Sequence, residues 1–253
     1  MRLGIIGVGH LASALVKGVL RTGFLAAENI VLAPRGHSVA LRDQFGCTIA
    51  DDNAGVVEAC DTVLLAVRPQ DAEAAVSGLP WRSDQIVLSA CAGVSIADLA
   101  PHVQAAQLVR IMPTIAAQFG ESATLVYPAL PQLAPLLEAL GKSYELTSED
   151  HFEVGSVSAA IFGWAQALIG ASSDWSTAKG MDSAQARALI AQTFISAGTM
   201  VAESDEPVSQ LLDSLATPGG ITEAGLTHLE STAAIEAWNG AADAALGKLE
   251  KRR

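Results

Sequence analysis

The chain begins with an apolar run, Leu3-Gly4-Ile5-Ile6, that passes without a spacer into Gly7-Val8-Gly9-His10-Leu11-Ala12. A Gly-x-Gly-x-x-Ala step between a strand and an amphipathic helix leaves few folds open. Gly7 permits the tight turn, Gly9 lets the backbone approach a pyrophosphate, and Ala12 lets helix and strand pack closely. The helix that follows, Leu11–Leu20, carries apolar residues at Leu11, Leu15 and Val19. Its first N–H groups have no partner within the helix and suit an anion. The expected fold is α/β, a Rossmann-type doubly wound parallel sheet. The expected ligand is a dinucleotide held at Gly7, Gly9, His10, Leu11 and Ala12.

The same alternation continues for most of the first half. Strands are expected at Arg2–Ile6, Ile30–Ala33, Cys47–Ile49, Thr62–Val67, Ile86–Ser89, Gln107–Met112 and Ala123–Tyr127. Helices are expected between them at Ser38–Phe45, Asn53–Ala59, Gln70–Gly78, Ile96–Leu99 and Leu130–Leu140. This rhythm predicts a parallel sheet covered on both faces. Beyond Glu149 the strand signals stop, and Val154–Ser173, Ser183–Glu203, Pro207–Leu215 and Thr222–Leu249 all have helical character. The cap-forming stretch Thr147–Asp150 marks the boundary. A dinucleotide-binding domain over 1–148 and an all-helical domain over 149–253 follow.

The end of the second strand reports on the ribose. An acidic residue there would bond a 2′-hydroxyl and select NAD(H). The sequence reads Leu32-Ala33-Pro34-Arg35-Gly36-His37, with no acid, and Arg35 is placed to accept a 2′-phosphate. NADP(H) is therefore expected over NAD(H), with Arg68 after the fourth strand lining the same cleft. The pair Asp51-Asp52 fits a helix N-cap cluster.

Composition removes several classes of function. A net charge of −12 argues against nucleic acid and anionic membrane as partners. Val154–Ser173 has no charge and is long enough for a bilayer. Its serines, glycines and alanines suit the buried centre of an assembly better than lipid. Cys47, Cys60 and Cys91 form no CxxC, so reduced thiols in a cytoplasmic protein are expected, and no signal peptide is read at the N-terminus. The five histidines show no metal-ligand spacing, so no metal is expected. A hydroxyacid dehydrogenase with a catalytic Lys on its first interdomain helix is excluded, because Lys179 lies in a Ser/Thr/Gly loop with no Asn one turn later.

With these pieces placed, the chain resembles the pyrroline-5-carboxylate reductases over nearly its whole length. The resemblance is carried by Gly7-x-Gly9-x-x-Ala12-x-Ala14-Leu15-x-x-Gly18, Asn53, Ala66-Val67-Arg68-Pro69-Gln70 and Arg110-x-Met112-Pro113. It continues through Gln192-Thr193 and Thr217-Pro218-Gly219-Gly220-Ile221-Thr222, which leads to Leu229-Glu230. It implies hydride transfer from NADPH to a cyclic imine carbon in proline biosynthesis. It also implies a helical substrate domain that pairs as an interlocked homodimer, often assembled further. Thr217, Gly219, Gly220 and Ile221 would hold the substrate carboxylate, with the Thr222 hydroxyl near the imine nitrogen as the catalytic group. Asn53 would touch the adenosine side of the cofactor, and Ala66, Val67, Arg68 and Pro69 would border its other half.

The Pro-Gly-Gly turn supports this independently, since it exposes backbone N–H groups ahead of a helix start. Thr222 could also serve that helix simply as a cap. The chain departs from the family at the substrate end. Thr114 replaces the Asn of Met-Pro-Asn, and Val157, Ser158 and Ala160 replace Gly, Pro and Tyr of Gly-Ser-Gly-Pro-Ala-Tyr. Ile221 stands where a small or hydroxyl residue is usual. Three readings therefore stay open: proline formation, reduction of a related imine or ketone, and an NADP(H)-binding protein without chemistry.

Overall fold

The computed structural model describes residues 1–251. The first elements are β1 (Leu3–Ile6), α1 (His10–Arg21), β2 (Ile30–Leu32), α2 (Ser38–Phe45), β3 (Thr48–Ile49), α3 (Asn53–Ala59) and β4 (Thr62–Leu65). Next come α4 (Ala72–Val76), β5 (Ile86–Ser89), α5 (Ile96–Val103), β6 (Gln107–Met112), β7 (Ser122–Tyr127), α6 (Ala134–Leu140) and β8 (Gly141–Glu145). Five helices close the described chain: α7 (Phe152–Ala178), α8 (Ser183–Glu203), α9 (Val208–Leu215), α10 (Ile221–Ser231) and α11 (Ala234–Glu250). Two compact units result. The first holds Met1–Ala159 with the stretch from Leu246, and the second holds Ala160–Ala245.

In the first unit the strands lie in the order β3-β2-β1-β4-β5-β6-β7-β8. Strands are buried on both faces because successive side chains point to opposite sides. Leu3 and Ile5 enter the core under α1 and α6, built from Leu15, Val16, Val19, Leu136, Leu137 and Leu140. Ile6 enters the other core, against Val56, Val57, Val76, Leu99 and Val103 of α3, α4 and α5. Each such side chain fully buried contributes roughly 1.5–3 kcal/mol.

The parallel expectation holds from β3 through β6, but β7 pairs antiparallel to β6. The chain reaches β7 through a short 3-10 turn, Ile115–Phe119, not through a crossover helix long enough to restore direction. β8 pairs parallel to β7 and adds a strand to those expected from the sequence. Its residues Gly-Lys-Ser-Tyr-Glu form an almost wholly exposed edge, so they carry no apolar alternation.

Two helical expectations also change. Gln70–Gly78 becomes a 3-10 turn, Pro69–Asp71, followed by α4. Thr222–Leu249 is two helices, broken at Ala233, whose φ is 53°. No Gly or Pro announces this break. The hydroxyl of Ser231 donates to the His228 carbonyl (2.8 Å), and that of Thr232 to the same carbonyl (3.0 Å), ending the helix from within. The Asp52 cap is as expected, its carboxylate accepting from the Gly55 N–H at 2.8 Å.

The second unit is helical, and its apolar side chains are largely uncovered. Along α8 only Ala186 is buried, while Leu189, Ile195 and Met200 are 54%, 60% and 62% exposed. Trp164 and Trp238 meet edge to face, with ring centroids 5.5 Å apart. Among the described residues one stretch, Glu149–Ala178, is long and apolar enough to cross a membrane, by length and composition.

Candidate functional site

β1 lies between β2 and β4, so the strand order reverses there and opens a crevice at the C-terminal ends of the strands. Three loops meet at that edge. The first runs from Gly7 to the start of α1. Gly7 has φ +91°, and an added Cβ would stand 2.7 Å from the Ala66 carbonyl and 2.6 Å from Val67 Cγ1. Only glycine fits both the dihedral and the space. Gly9 is the N-cap of α1 and offers no side-chain cap, and a Cβ there would meet nothing within 4 Å. The first N–H groups of α1 therefore border open space, as an anion cradle requires.

Not every residue of the motif presents a side chain to that space. Ala12 is fully buried, and Leu11 packs against the core under α1. What they can offer a ligand is backbone N–H. His10 is exposed at the first position of the helix.

The second loop leaves β2 through Pro34-Arg35-Gly36-His37. It is fastened to the first by a parallel bridge between Val8 and Gly36 and by the His37 N–H donating to the Val8 carbonyl at 2.8 Å. Gly36 has φ +86°, and an added Cβ would collide with the Val8 carbonyl oxygen. The Ser38 hydroxyl lies against the Ala33 and Arg35 carbonyls, at 2.5 and 3.0 Å. The loop is thus pinned at both ends, with Arg35 exposed on it.

The third loop, Ala66-Val67-Arg68-Pro69, leaves β4 beside Gly7, with Arg68 exposed and the other three half-buried. The Cys91 thiol lies under it, 3.5 Å from the Val67 carbonyl and 3.7 Å from the Leu65 carbonyl. Burial pushes that thiol up to about 11. At neutral pH it is a packing group and not a nucleophile. Asn53 starts α3, and its amide donates to the Ala75 carbonyl at 3.0 Å, leaving the side-chain oxygen for other partners.

The motif of the second unit has a different character from the one expected. Gly220 is the N-cap of α10, so Thr222 is the second helical residue and does not cap the helix. Gly219 has φ +76°, and its N–H is already taken by Glu223 Oε2 at 2.7 Å. The Gly220 N–H goes to the Thr217 carbonyl at 2.8 Å. The amides not engaged within the loop belong to the first turn of α10, beginning with Ile221, whose side chain is 95% exposed. Val157 is 7% exposed and Thr114 is 9% exposed, its hydroxyl oxygen buried without a hydrogen-bond partner, while Ser158 is exposed and Ala160 half-buried.

Sequence reading missed Ser13, Gly36 and His37, which tie the first two loops together, and Ser38, which holds the second loop to its own carbonyls. Ser13 lies one residue past the Gly-x-Gly-x-x-Ala step, and His37 stands in the sequence only as the end of the acid-free stretch and as one of five histidines without metal-ligand spacing. Among the described residues no cluster of His, Cys, Asp and Glu could hold a metal ion.

Comparison with known proteins fits this architecture. Residues 151–251 match the family model of pyrroline-5-carboxylate reductase dimerisation, and residues 2–93 match that of NADP oxidoreductase, coenzyme F420-dependent. Pyrroline-5-carboxylate reductase 3 of Xenopus laevis is 30% identical over 243 residues, spanning 90% of this chain and 87% of the relative. The crystal structure of the Streptococcus pyogenes 1-pyrroline-5-carboxylate reductase is 26% identical, covers 98% of both chains and superposes with a TM-score of 0.86. That of the Plasmodium falciparum pyrroline carboxylate reductase with NADP bound reaches a TM-score of 0.89 at 24% identity, over 100% of this chain and 98% of the other.

Proposed function

The chain belongs to the pyrroline-5-carboxylate reductase family, and from that premise we propose that it reduces 1-pyrroline-5-carboxylate to proline with NADPH. The observation that carries the reading is the glycine cradle fastened to an acid-free loop bearing Arg35. The cradle fits a dinucleotide, since Gly9 borders open space and Gly7 holds a turn that no other residue could adopt. When bound, NADPH supplies the hydride, which adds to the imine carbon as a proton completes the amine.

In this reading the Gly7–Ala12 amides hold the pyrophosphate and Arg35 takes the 2′-phosphate as a planar donor. Asn53 serves the adenosine side, while Ala66, Val67, Arg68 and Pro69 form the wall beside the other half of the cofactor. The segment Thr217, Gly219, Gly220 and Ile221 takes the substrate carboxylate. That carboxylate would bind the first-turn amides of α10 and compete with Glu223 for the Gly219 N–H. The Thr222 hydroxyl stands by the imine nitrogen. Domains of 1–148 and 149–253 then divide cofactor from substrate and pairing duties.

The exposed apolar face of α8 supports an interlocked homodimer, in which a second copy covers α7 and α8 in place of lipid. Three buried, unpaired cysteines suit a cytoplasmic protein.

The test is loss of nicotinamide absorbance on adding 1-pyrroline-5-carboxylate to protein and NADPH, with NADH in parallel and Thr222→Ala as the variant. Fast turnover with NADPH that falls at least tenfold in the variant is expected. Binding of NADPH without turnover would move the case to a related imine, the reading favoured by the enclosed Val157, the small Ala160 and Ile221. No turnover on any cyclic imine would leave a binding protein without chemistry.

A further inference from the structure

We propose that His37 is a second reader of the cofactor's 2′-phosphate, beside Arg35, and that Ser13 presents it. The inference rests on the NADP(H) reading above. The Ser13 hydroxyl lies 2.8 Å from the Gly9 carbonyl and 3.1 Å from His37 Nδ1. A carbonyl has no proton to give, so the single hydroxyl proton must lie on that shorter contact. Ser13 Oγ therefore accepts from the imidazole, and Nδ1 carries the hydrogen. Nε2 is the nitrogen left for a ligand, and it donates to a phosphate oxygen when the ring carries its second proton as an imidazolium.

The ring is held from a second side as well. His10 meets it edge to face, with centroids 4.6 Å apart and planes at 80°. The backbone of His37 is fixed by its bond to the Val8 carbonyl. A half-buried imidazole held by Ser13 and His10 on a fixed backbone has less rotamer freedom to lose when a ligand arrives, which lowers the cost of binding. It sits two residues beyond Arg35 at the end of β2. In a sheet of this order the adenosine ribose lies there, and an acid would read the 2′-hydroxyl of NAD(H). A donor in that position suits a phosphate, and a phosphate bonds donors more strongly than a hydroxyl does.

The alternative is that the Ser13–His37 bond only staples two loops. Such a role would affect NADPH and NADH alike, or would act on NADPH only through Arg35. In the second case His37→Phe would cost nothing further in an Arg35→Ala background, an outcome that also overturns the proposal. The experiment is therefore direct binding of each dinucleotide to the full chain, by quenching of tryptophan fluorescence, without substrate. The variants are His37→Phe, which keeps a ring against His10, and His37→Gln, which keeps a donor. Circular dichroism and thermal melting establish that both are folded.

Wild type is expected to bind NADPH more tightly than NADH. His37→Phe should weaken NADPH about tenfold or more, the worth of one hydrogen bond to a charged group, with NADH within about twofold. His37→Gln should recover most of the loss. Equal weakening of both dinucleotides, or an unchanged NADPH affinity in His37→Phe, overturns the proposal while leaving the cofactor reading intact. Failure of wild type to prefer NADPH overturns the cofactor reading itself, and the proposal with it.

Discussion

Arg110 is the largest side chain enclosed in the first unit, 1% exposed. Its Nη1 donates to Glu149 Oε1 at 2.9 Å and its Nη2 to Glu153 Oε1 at 2.6 Å, with the guanidinium 4.0 Å above the Phe152 ring. Replacing it with Met keeps much of the volume and deletes the charge. The two carboxylates then behave differently. The Glu149 side chain is 24% exposed and also accepts from the Ile96 N–H at 2.8 Å, so water and that amide can take it up. The Glu153 side chain is 4% exposed and has little water to turn to. Removing one partner of a buried pair costs about 3–5 kcal/mol. The lost ring contact adds about 1 kcal/mol, and rehydration of Glu149 offsets a similar amount.

The net expectation for Arg110→Met is a loss of about 3–5 kcal/mol in urea unfolding. Protomer concentration must be held fixed, because assembly shifts the midpoint. Adding Glu153→Gln removes the charge that Arg110 no longer balances and should restore at least about 2 kcal/mol. A loss under about 1 kcal/mol, or no recovery in the double variant, refutes the reasoning.

Two further expectations concern packing and pH. At Gly18 an added Cβ would collide with the Ala117 carbonyl and stand 3.3 Å from Leu140 Cδ2. Gly18→Ala should lower stability by about 1–3 kcal/mol despite the better helix propensity of Ala, and an unchanged melting temperature would contradict the tight approach. Burial pushes the Cys60 and Cys91 thiols from 9.0 up to about 11. The unfolded chain then loses these protons first, so stability is unaffected below the unfolded value and falls as pH rises through the folded one. A urea midpoint followed into that range should fall more steeply in wild type than in Cys60→Ala/Cys91→Ala; parallel curves would show that the thiols do not contribute.

Much of the first unit was legible because its causes are local. Gly7, Gly9 and Ala12 act within one turn, and alternation along β1, β2, β4 and β5 assigns each side chain to a face two residues at a time. The Asp52 cap spans three residues. Legibility failed where local signals were absent or misleading. β8 is polar because it is an edge, and Ala233 breaks a helix that neither Gly nor Pro interrupts. In the substrate segment the Pro-Gly-Gly turn was correctly placed, yet its amides were already engaged by Glu223 and Thr217.

The His37 contact in the candidate site and the buried Arg110 cluster outside it both depend on distant pairing. Ser13 and His37 lie 24 residues apart, and Arg110 lies 39 and 43 residues from its two carboxylates. Nothing in the spacing of such pairs predicts contact, because the intervening strands and helices set their separation in sequence while the sheet sets it in space. The sequence alone determined a dinucleotide cradle, an acid-free second loop and a helical second half, since backbone sterics and side-chain periodicity act over a few residues. Only the tertiary structure decided how that loop is fastened to the cradle and which nitrogen of His37 meets Ser13. Those follow from hydrogen bonds that exist only once β1 and β2 lie side by side.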